Sequence, residues 1–265
     1  MSHEQARGTH FVQSLERGLM VVRAFSAEHP SMTLSEVARV TDLTRAAARR
    51  FLLTLVDLGY VRTDGRLFSL TPRVLELGYA YVASAGLPDV AQPHLEDLSA
   101  QVRESASVSV LEGDDVLYVA RVATSRIMAV AITVGTRFPA SVTSMGRVLL
   151  AGHDDEELSA YLDRVSLEPL THSTITDVDE LRAEILRVRD QGYAVVDQEL
   201  EEGLRSLAAP IRDGSGRVIA AANVSAHAGR SSLEDVCRDL LPALLEATTR
   251  IEADLTAVTR RGTHG

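Results

Sequence analysis

The chain of 265 residues contains no lysine, so all 27 of its basic residues are arginine. Arginine presents a planar fork suited to phosphates and guanine edges, although a GC-rich genome produces the same bias. Tryptophan is absent, and aromatic residues make up only 4% of the chain. The single cysteine, Cys237, excludes an intramolecular disulfide and fits a reducing compartment. No apolar run approaches membrane-spanning length, and the opening MSHEQARGTH carries no apolar leader, so a cytoplasmic protein without membrane contact is expected. Catalytic motifs are missing too. There is no Gly-x-Ser-x-Gly elbow, phosphate loop or dinucleotide fingerprint. His94, His153, His172 and His227 are scattered without metal-ligand spacing. Asp154 to Glu157 form an acidic run, but at a helix start, where acids favour the dipole rather than pair for acid–base work. A binding protein is expected, not an enzyme, with no cofactor and no metal.

What is present is an uneven charge. The net charge is −10. Residues 1–86 hold ten arginines against eight acids, whereas residues 87–265 hold seventeen against twenty-nine. Between Arg45 and Arg66 there are five arginines and two acids, Asp57 and Asp64. A locally basic front and an acidic remainder suggest a polyanionic partner for the front, unless the arginines merely solvate a helix face.

The front reads as a winged helix-turn-helix. A first helix is expected from Ser14 to Ala27, with Leu15, Leu19, Val22 and Phe25 on its apolar face. Thr33 opens a short helix with Glu36 as its capping-box partner, and Val37 and Val40 face inward. Thr41 and Asp42 turn the chain, and Thr44 caps the next helix. That helix carries Ala48, Phe51, Leu52, Leu55 and Leu58 on one side, with Arg45, Arg49 and Arg50 largely off the stripe. Gly59 ends it. Strands at Tyr60–Thr63 and Arg66–Leu70 flank Asp64-Gly65, a two-residue hairpin signal. A recognition helix meets base edges through its first turns. Thr44, Arg45, Ala46, Ala47, Arg49 and Arg50 are therefore the candidate groove contacts, with Arg62 and Arg66 on the wing for phosphates or the minor groove. Docking to a protein is the alternative use of the same shape. One winged helix makes few contacts, so a dimer or higher oligomer on a pseudo-palindromic operator is expected.

Pro72 starts a linker helix to about Ala85, capped by Thr71, rich in apolar residues and closed by Gly86 and Pro88. The expected organisation is residues 1–71 for DNA, 72–86 as linker, and 87–265 for effector binding and oligomerisation. The last part mixes strands (Ser107–Leu111, Val116–Val122, Ile127–Val134, Tyr193–Gln198, Leu204–Ile211, Arg217–Ser225) with helices (Ser144–Gly152, Asp155–Arg164, Val178–Gln191). A closing helix begins near Ser232, with Ser231 and Glu234 as its capping box and Pro242 as a kink. This is an α+β pattern, an antiparallel sheet with packed helices. The helix start at Ser144 and Met145 offers amides to a carboxylate. Ser206, Asn223 and Ser225 are polar residues on otherwise apolar strands, and the last two share a sheet face. They suit a small organic acid, or are ordinary buried groups bonded to nearby backbone.

The winged helix, the linker and the motifs GTRFPASVTSMGRVLLAG and DQELEEGLRSLAAP together resemble the IclR family of bacterial transcriptional regulators. The resemblance runs from about Phe11 to Leu255. The second motif, with YVARV and RIMAVAITVGTR, is most similar to the branch regulating aromatic-acid catabolism, the protocatechuate and β-ketoadipate type. The resemblance implies a GAF-like effector domain, a dimer of dimers and a small-acid effector. It also implies an effector site at Ser144, Met145, Ser206, Asn223 and Ser225, with an apolar wall of Ile127, Val130, Phe138 and Leu204. Relatives that answer glyoxylate carry Gly-Ala where Ser144-Met145 stand and an acid aligned with Val196; the nearest acid here is Asp197. An aromatic or dicarboxylic acid is the implied effector, with a glyoxylate- or pyruvate-responsive repressor as the alternative. Arg126 and Arg137 are candidate carboxylate partners.

Overall fold

The computed structural model describes residues 11–26, 29–75, 77, 86–124, 132–229 and 232–262. The chain divides into two compact units, Met1–Ser84 and Ala85–Gly265.

The first unit holds α1 (Gln13–Arg23), β1 (Ser31–Thr33), α2 (Leu34–Val40), α3 (Arg45–Asp57), β2 (Val61–Thr63) and β3 (Leu67–Leu70). Helix α2 is fixed by the expected capping box. The Thr33 hydroxyl accepts the Glu36 amide at 3.3 Å, and the Glu36 carboxylate accepts the Thr33 amide at 2.7 Å. Thr44 accepts the Ala47 amide and starts α3. Val21, Phe25, Val37, Leu52, Val61 and Phe68 make the core. Several expectations about packing are corrected. Leu15 and Leu19 are exposed, because α1 turns the side containing Gly18 and Val21 toward Phe51 and the core. Val40 and Leu58 are also exposed; each lies in the last turn of its helix or just past it, beyond the buried stripe. Strand β1 was not anticipated. It pairs with β3, so the wing is a three-stranded sheet of order β1-β3-β2. The wing turn is centred one residue later than expected, on Gly65 and Arg66. Asp64 flanks it, donates its amide to Leu67, and accepts the amides of Arg66 and Leu67 on its carboxylate. Gly65 has φ +93°, a conformation that glycine adopts without strain. Of the expected linker helix, Pro72–Leu75 form a 3-10 turn; residues 76 and 78–85 lie outside the described residues.

The second unit opens with a helix that the sequence reading missed, α4 (Leu87–Val102). Strands β4 (Ser105–Glu112), β5 (Asp115–Val122) and β6 (Arg137–Pro139) follow, then α5 (Ser144–Ala151), α6 (Asp155–Leu162) and α7 (Val178–Gln191). Strands β7 (Ala194–Asp197), β8 (Leu204–Arg212) and β9 (Val218–His227) lead into α8 (Leu233–Gly262). The six strands form one antiparallel sheet of order β6-β5-β4-β9-β8-β7. Helices α4 and α8 cover one face through Leu95, Leu98, Leu244 and Ile251. Helices α5, α6 and α7 cover the other through Met145, Leu150, Tyr161, Leu181 and Ile185. This is the α+β architecture expected of the region. The expected strand at Ile127–Val134 does not form in its described part; residues 125–131 lie outside the described residues, and the edge strand is β6 instead. The closing helix is capped by Ser232 and Asp235, one residue later than anticipated. It runs continuously through Pro242. No described helix is long and apolar enough to cross a membrane.

Candidate DNA-contacting face and effector cleft

In the first unit the candidate groove residues sit at the front of α3. Thr44, Arg45, Ala46, Arg49 and Arg50 are exposed, and Ala47 is half-buried beneath them. Arg45, Arg49 and Arg50 have no ion pair or side-chain hydrogen bond among the described residues. Their charges are therefore not neutralised internally. The wing differs. Arg62 donates its Nε to Ser69 at 3.0 Å, which steadies it along the strand. Arg66 occupies the tip, and its charge acts on Asp64 through space. A helix with three uncompensated guanidiniums beside small alanines, and a basic tip beyond it, matches a polyanion in the major groove.

The second unit has a cleft between its sheet and the start of α5. About 350 Å³ of non-atom space lies there with the open mouth counted, but only about 10 Å³ of it admits a water-sized sphere, so side chains must part to receive a ligand. Ser144, Leu204, Ser206, Asn223 and Ser225 line it together, although they come from one helix and two strands. Register explains the meeting: Ser206 and Ser225 are direct partners across β8 and β9, and Asn223 lies two residues along. The helix start is fixed by Thr143, whose hydroxyl accepts the Gly146 amide at 3.1 Å. Gly146 is obligatory there, because any β-carbon would overlap the Ala140 backbone. That close approach packs the first turn of α5 onto the 3-10 turn Ala140–Val142.

Other expectations fall differently. Met145 is fully buried and does not line the cleft; its sulfur accepts the Ser109 hydroxyl at 3.2 Å. Phe138 is half-buried and meets Tyr118 edge-on, with ring centroids 5.9 Å apart, so it backs the wall rather than forming it. Ile127, Val130 and Arg126 lie outside the described residues. Arg137 is held by Glu112 at 2.6 Å. Lining residues that the sequence reading missed include Tyr118, Ile132, Val142, Val196 and Leu200. Val196 faces the cleft, while its neighbour Asp197 is bound by Arg205 at 2.8 Å, so no acid stands in this wall among the described residues. Burial pushes the Tyr118 phenol up to about 12, which keeps it protonated and able to donate.

The polar groups are not consumed by local bonding. Asn223 Nδ2 donates to the Ser225 hydroxyl at 3.2 Å. Ser144 Oγ and Asn223 Oδ1 are buried, yet neither has a hydrogen-bond partner among the described residues. Such groups normally find one, and leaving each unmade costs about 1–3 kcal/mol. Beneath the α5 end of the cleft, Arg147 is buried and bonds Ser141 O at 3.1 Å and the Glu199 carboxylate at 2.5 Å. Glu199 precedes the lining residue Leu200, so this pair ties the β7–β8 loop to α5.

A basic helix-turn-helix with a separate sensor-like α+β unit defines a ligand-responsive transcriptional regulator. Residues 14–65 match the IclR helix-turn-helix domain, and residues 79–253 match the C-terminal domain of bacterial IclR transcriptional regulators. The chain belongs to the IclR family. It is 49% identical over 239 residues to the Pca regulon regulatory protein of Pseudomonas putida, covering 90% of this chain and 82% of that protein. A solved structure from Rhodococcus sp. RHA1 is 61% identical, with a TM-score of 0.84 over 94% of this chain and 100% of that one. An IclR homologue from Microbacterium hydrocarbonoxydans, complexed with 4-hydroxybenzoate, is 28% identical, with a TM-score of 0.83 over 92% of this chain and 99% of that one. These relatives are regulators rather than enzymes, and the same holds for this chain.

Proposed function

We propose that this regulator controls a catabolic operon in the cytoplasm and answers a small aromatic acid or β-ketoadipate-type intermediate bound in the sheet–α5 cleft. One observation carries the reading: two buried polar atoms, Ser144 Oγ and Asn223 Oδ1, converge on a cleft with no partner of their own. A bound ligand supplies what they lack. The P. putida relative is named for the Pca regulon, and the Microbacterium homologue holds 4-hydroxybenzoate, which supports an aromatic acid over glyoxylate. The absence of an acid at Val196 fits a less polar ligand.

Residues 1–71 bind the operator through Thr44, Arg45, Ala46, Ala47, Arg49 and Arg50, with Arg62 and Arg66 on the backbone. Residues 72–86 transmit the effector signal, and residues 87–265 receive it. Two heads in a dimer or a dimer of dimers read a pseudo-palindrome. The effector acts only through its affinity difference between the DNA-competent and DNA-incompetent arrangements. Thermal-shift titration against protocatechuate, 4-hydroxybenzoate, β-ketoadipate and glyoxylate tests the ligand class. Stabilisation by at least one of the first three is expected; a response to glyoxylate alone overturns it. Light scattering at micromolar concentration is expected to give a dimer or larger.

A further inference from the structure

The cleft has room for about one water, so one of its walls has to yield before an acid can enter. The floor is fixed, because Ser206, Asn223 and Ser225 sit in paired strands. The start of α5 is fixed as well, by the Thr143 cap and by Gly146 against Ala140. Leu200 is placed differently. It lines the cleft from the β7–β8 loop, beyond the last pair of that ladder, Asp197↔Arg205. The two ends of the loop, Gln198 and Gly203, have φ +62° and +82°. The Gln198 amide donates to Leu204 O at 2.7 Å, and the Gln198 side chain accepts the Gly203 amide at 3.0 Å. These bonds close the neck of the loop. Its setting against α5 is left to contacts made through side chains.

The central contact is Arg147. Its Nε donates to Ser141 O at 3.1 Å and its Nη2 to the Glu199 carboxylate at 2.5 Å. Ser141 belongs to the turn that carries Val142 into one wall, and Glu199 adjoins Leu200 in the other. One buried guanidinium therefore joins the two walls without lining the cleft. The segment 171–175 adds to the hold. The Ile175 amide donates to the same Glu199 oxygen at 3.3 Å, and the Thr174 and Thr171 hydroxyls donate to Glu199 O and Gln198 O, each at 2.7 Å. Arg147 also has Glu184 at 3.8 Å, and Arg187 holds Glu184 at 2.6 Å.

We infer that the Arg147–Glu199 pair is a positioning clamp that sets the width of the cleft, and so the size of acid that the regulator accepts. This rests on the proposed reading of the cleft as an acid sensor, and it names what limits the ligands of that site. A ligand enters by pushing Leu200 away from the start of α5, and that displacement pulls on the pair. A flat, unsubstituted ring asks little of it; a ring widened by methyl groups asks more. The bond at stake is charge-assisted and buried, roughly twice as strong as a neutral one, so the wall resists widening. Two residues that do not touch the ligand thereby select it by size.

Calorimetric titration of the full chain with 4-hydroxybenzoate and with 4-hydroxy-3,5-dimethylbenzoate reads that selection. The parent is expected to prefer the smaller acid by at least about tenfold, as a pocket does when it resists a surplus methyl group. E199Q keeps an oxygen for Arg147 and Ile175 but loses the charge, and Glu184 stays beside the guanidinium, so the chain is expected to fold. It is expected to narrow the preference at least about threefold by strengthening the larger acid. T174V removes only a hydroxyl tether of the same loop; it is expected to narrow the preference too, and it decides the matter if E199Q does not fold. A pair that merely supports the fold would weaken both acids alike and leave their ratio unchanged. If the parent binds the two acids equally, or E199Q keeps the parental ratio, the clamp is overturned and the acid-sensing cleft stands. If the parent binds neither, the ratio is read on protocatechuate and 3,4-dihydroxy-5-methylbenzoate. Binding of none of the four removes the aromatic-acid reading, and this assignment with it.

Discussion

The two units use charged and polar groups in opposite ways. The head keeps Arg45, Arg49 and Arg50 at the surface, projecting from α3 without a carboxylate among the described residues. The second unit sets many of its arginines on carboxylates, as in Arg147–Glu199, Arg189–Asp155 and Arg205–Asp197. In the head, hydroxyls at helix starts are satisfied by backbone amides; in the cleft, Ser144 Oγ is not. The difference separates a surface that waits for a large polyanion from an interior that waits for one small molecule. Long-range attraction serves the first, and unmet short-range bonds serve the second.

The largest expected effect comes from breaking the buried pair. Arg147→Met leaves the Glu199 carboxylate buried without its partner and is expected to cost about 3–5 kcal/mol in urea unfolding of the second unit. Arg250→Ala removes an exposed partner of Glu246 and is expected to cost less than about 1 kcal/mol. Equal costs for the two would erase the contrast between interior and surface charge. Next in size is the head. R45E/R49E is expected to weaken operator binding at least about a hundredfold in anisotropy titrations, and to flatten the dependence on salt. Its effector affinity should match the parent's, since neither residue belongs to the cleft. Operator binding that stays at parental strength would remove the proposed DNA face.

A pair of hydroxyl deletions sharpens the comparison by sign. Thr44→Ala removes a satisfied cap and is expected to destabilise the head by about 1 kcal/mol. Ser144→Ala removes a buried hydroxyl that has no partner, and is expected to stabilise the unliganded chain by up to about 1 kcal/mol while weakening effector binding. Differential scanning calorimetry with and without ligand separates the two. Destabilisation by Ser144→Ala in the unliganded chain would mean that its hydroxyl is bonded after all.

Much of the head was legible because its signals are local. Thr33 and Glu36 are three residues apart, Thr44 caps its own helix, and Asp64-Gly65 marks the hairpin turn to within one residue. What failed there was tertiary: Leu15 and Leu19 show a helical spacing, but spacing does not say which apolar side meets the core. In the second unit the polar strand positions Ser206, Asn223 and Ser225 stood out against apolar neighbours, and the cleft gathers them. Helix α4 was missed because Pro88 was read as a stop, whereas a proline in the first turn lacks only an amide that has no partner there. The Arg147–Glu199 pair was beyond reach for a deeper reason. Each residue lies inside a motif that stood out, but the two are 52 residues apart, and only the packing of α5 beside the β7–β8 loop brings them together.

The smallest expected effect tests whether surface carboxylates follow the same division between units. In the head, the Thr33 amide and hydroxyl hold Glu36 below the ordinary 4.5, and the Leu67 and Arg66 amides hold Asp64 below 3.8. In the second unit, Ser215 does the same for Asp213 through its hydroxyl and amide, and the Ser232 hydroxyl with Arg238 does so for Asp235. All four are lowered on folding, so their contribution is complete above the ordinary carboxylate values and fades as pH falls through the lowered ones. Both units should therefore keep a constant melting temperature from pH 7 to about pH 5 on account of these groups, and lose stability together below about pH 4. E36Q and D213N should each make that acid limb shallower, by less than the Thr44→Ala effect. If E36Q changed the limb and D213N did not, the carboxylates would also be divided between units, and the contrast drawn from the arginines would extend to both signs of charge.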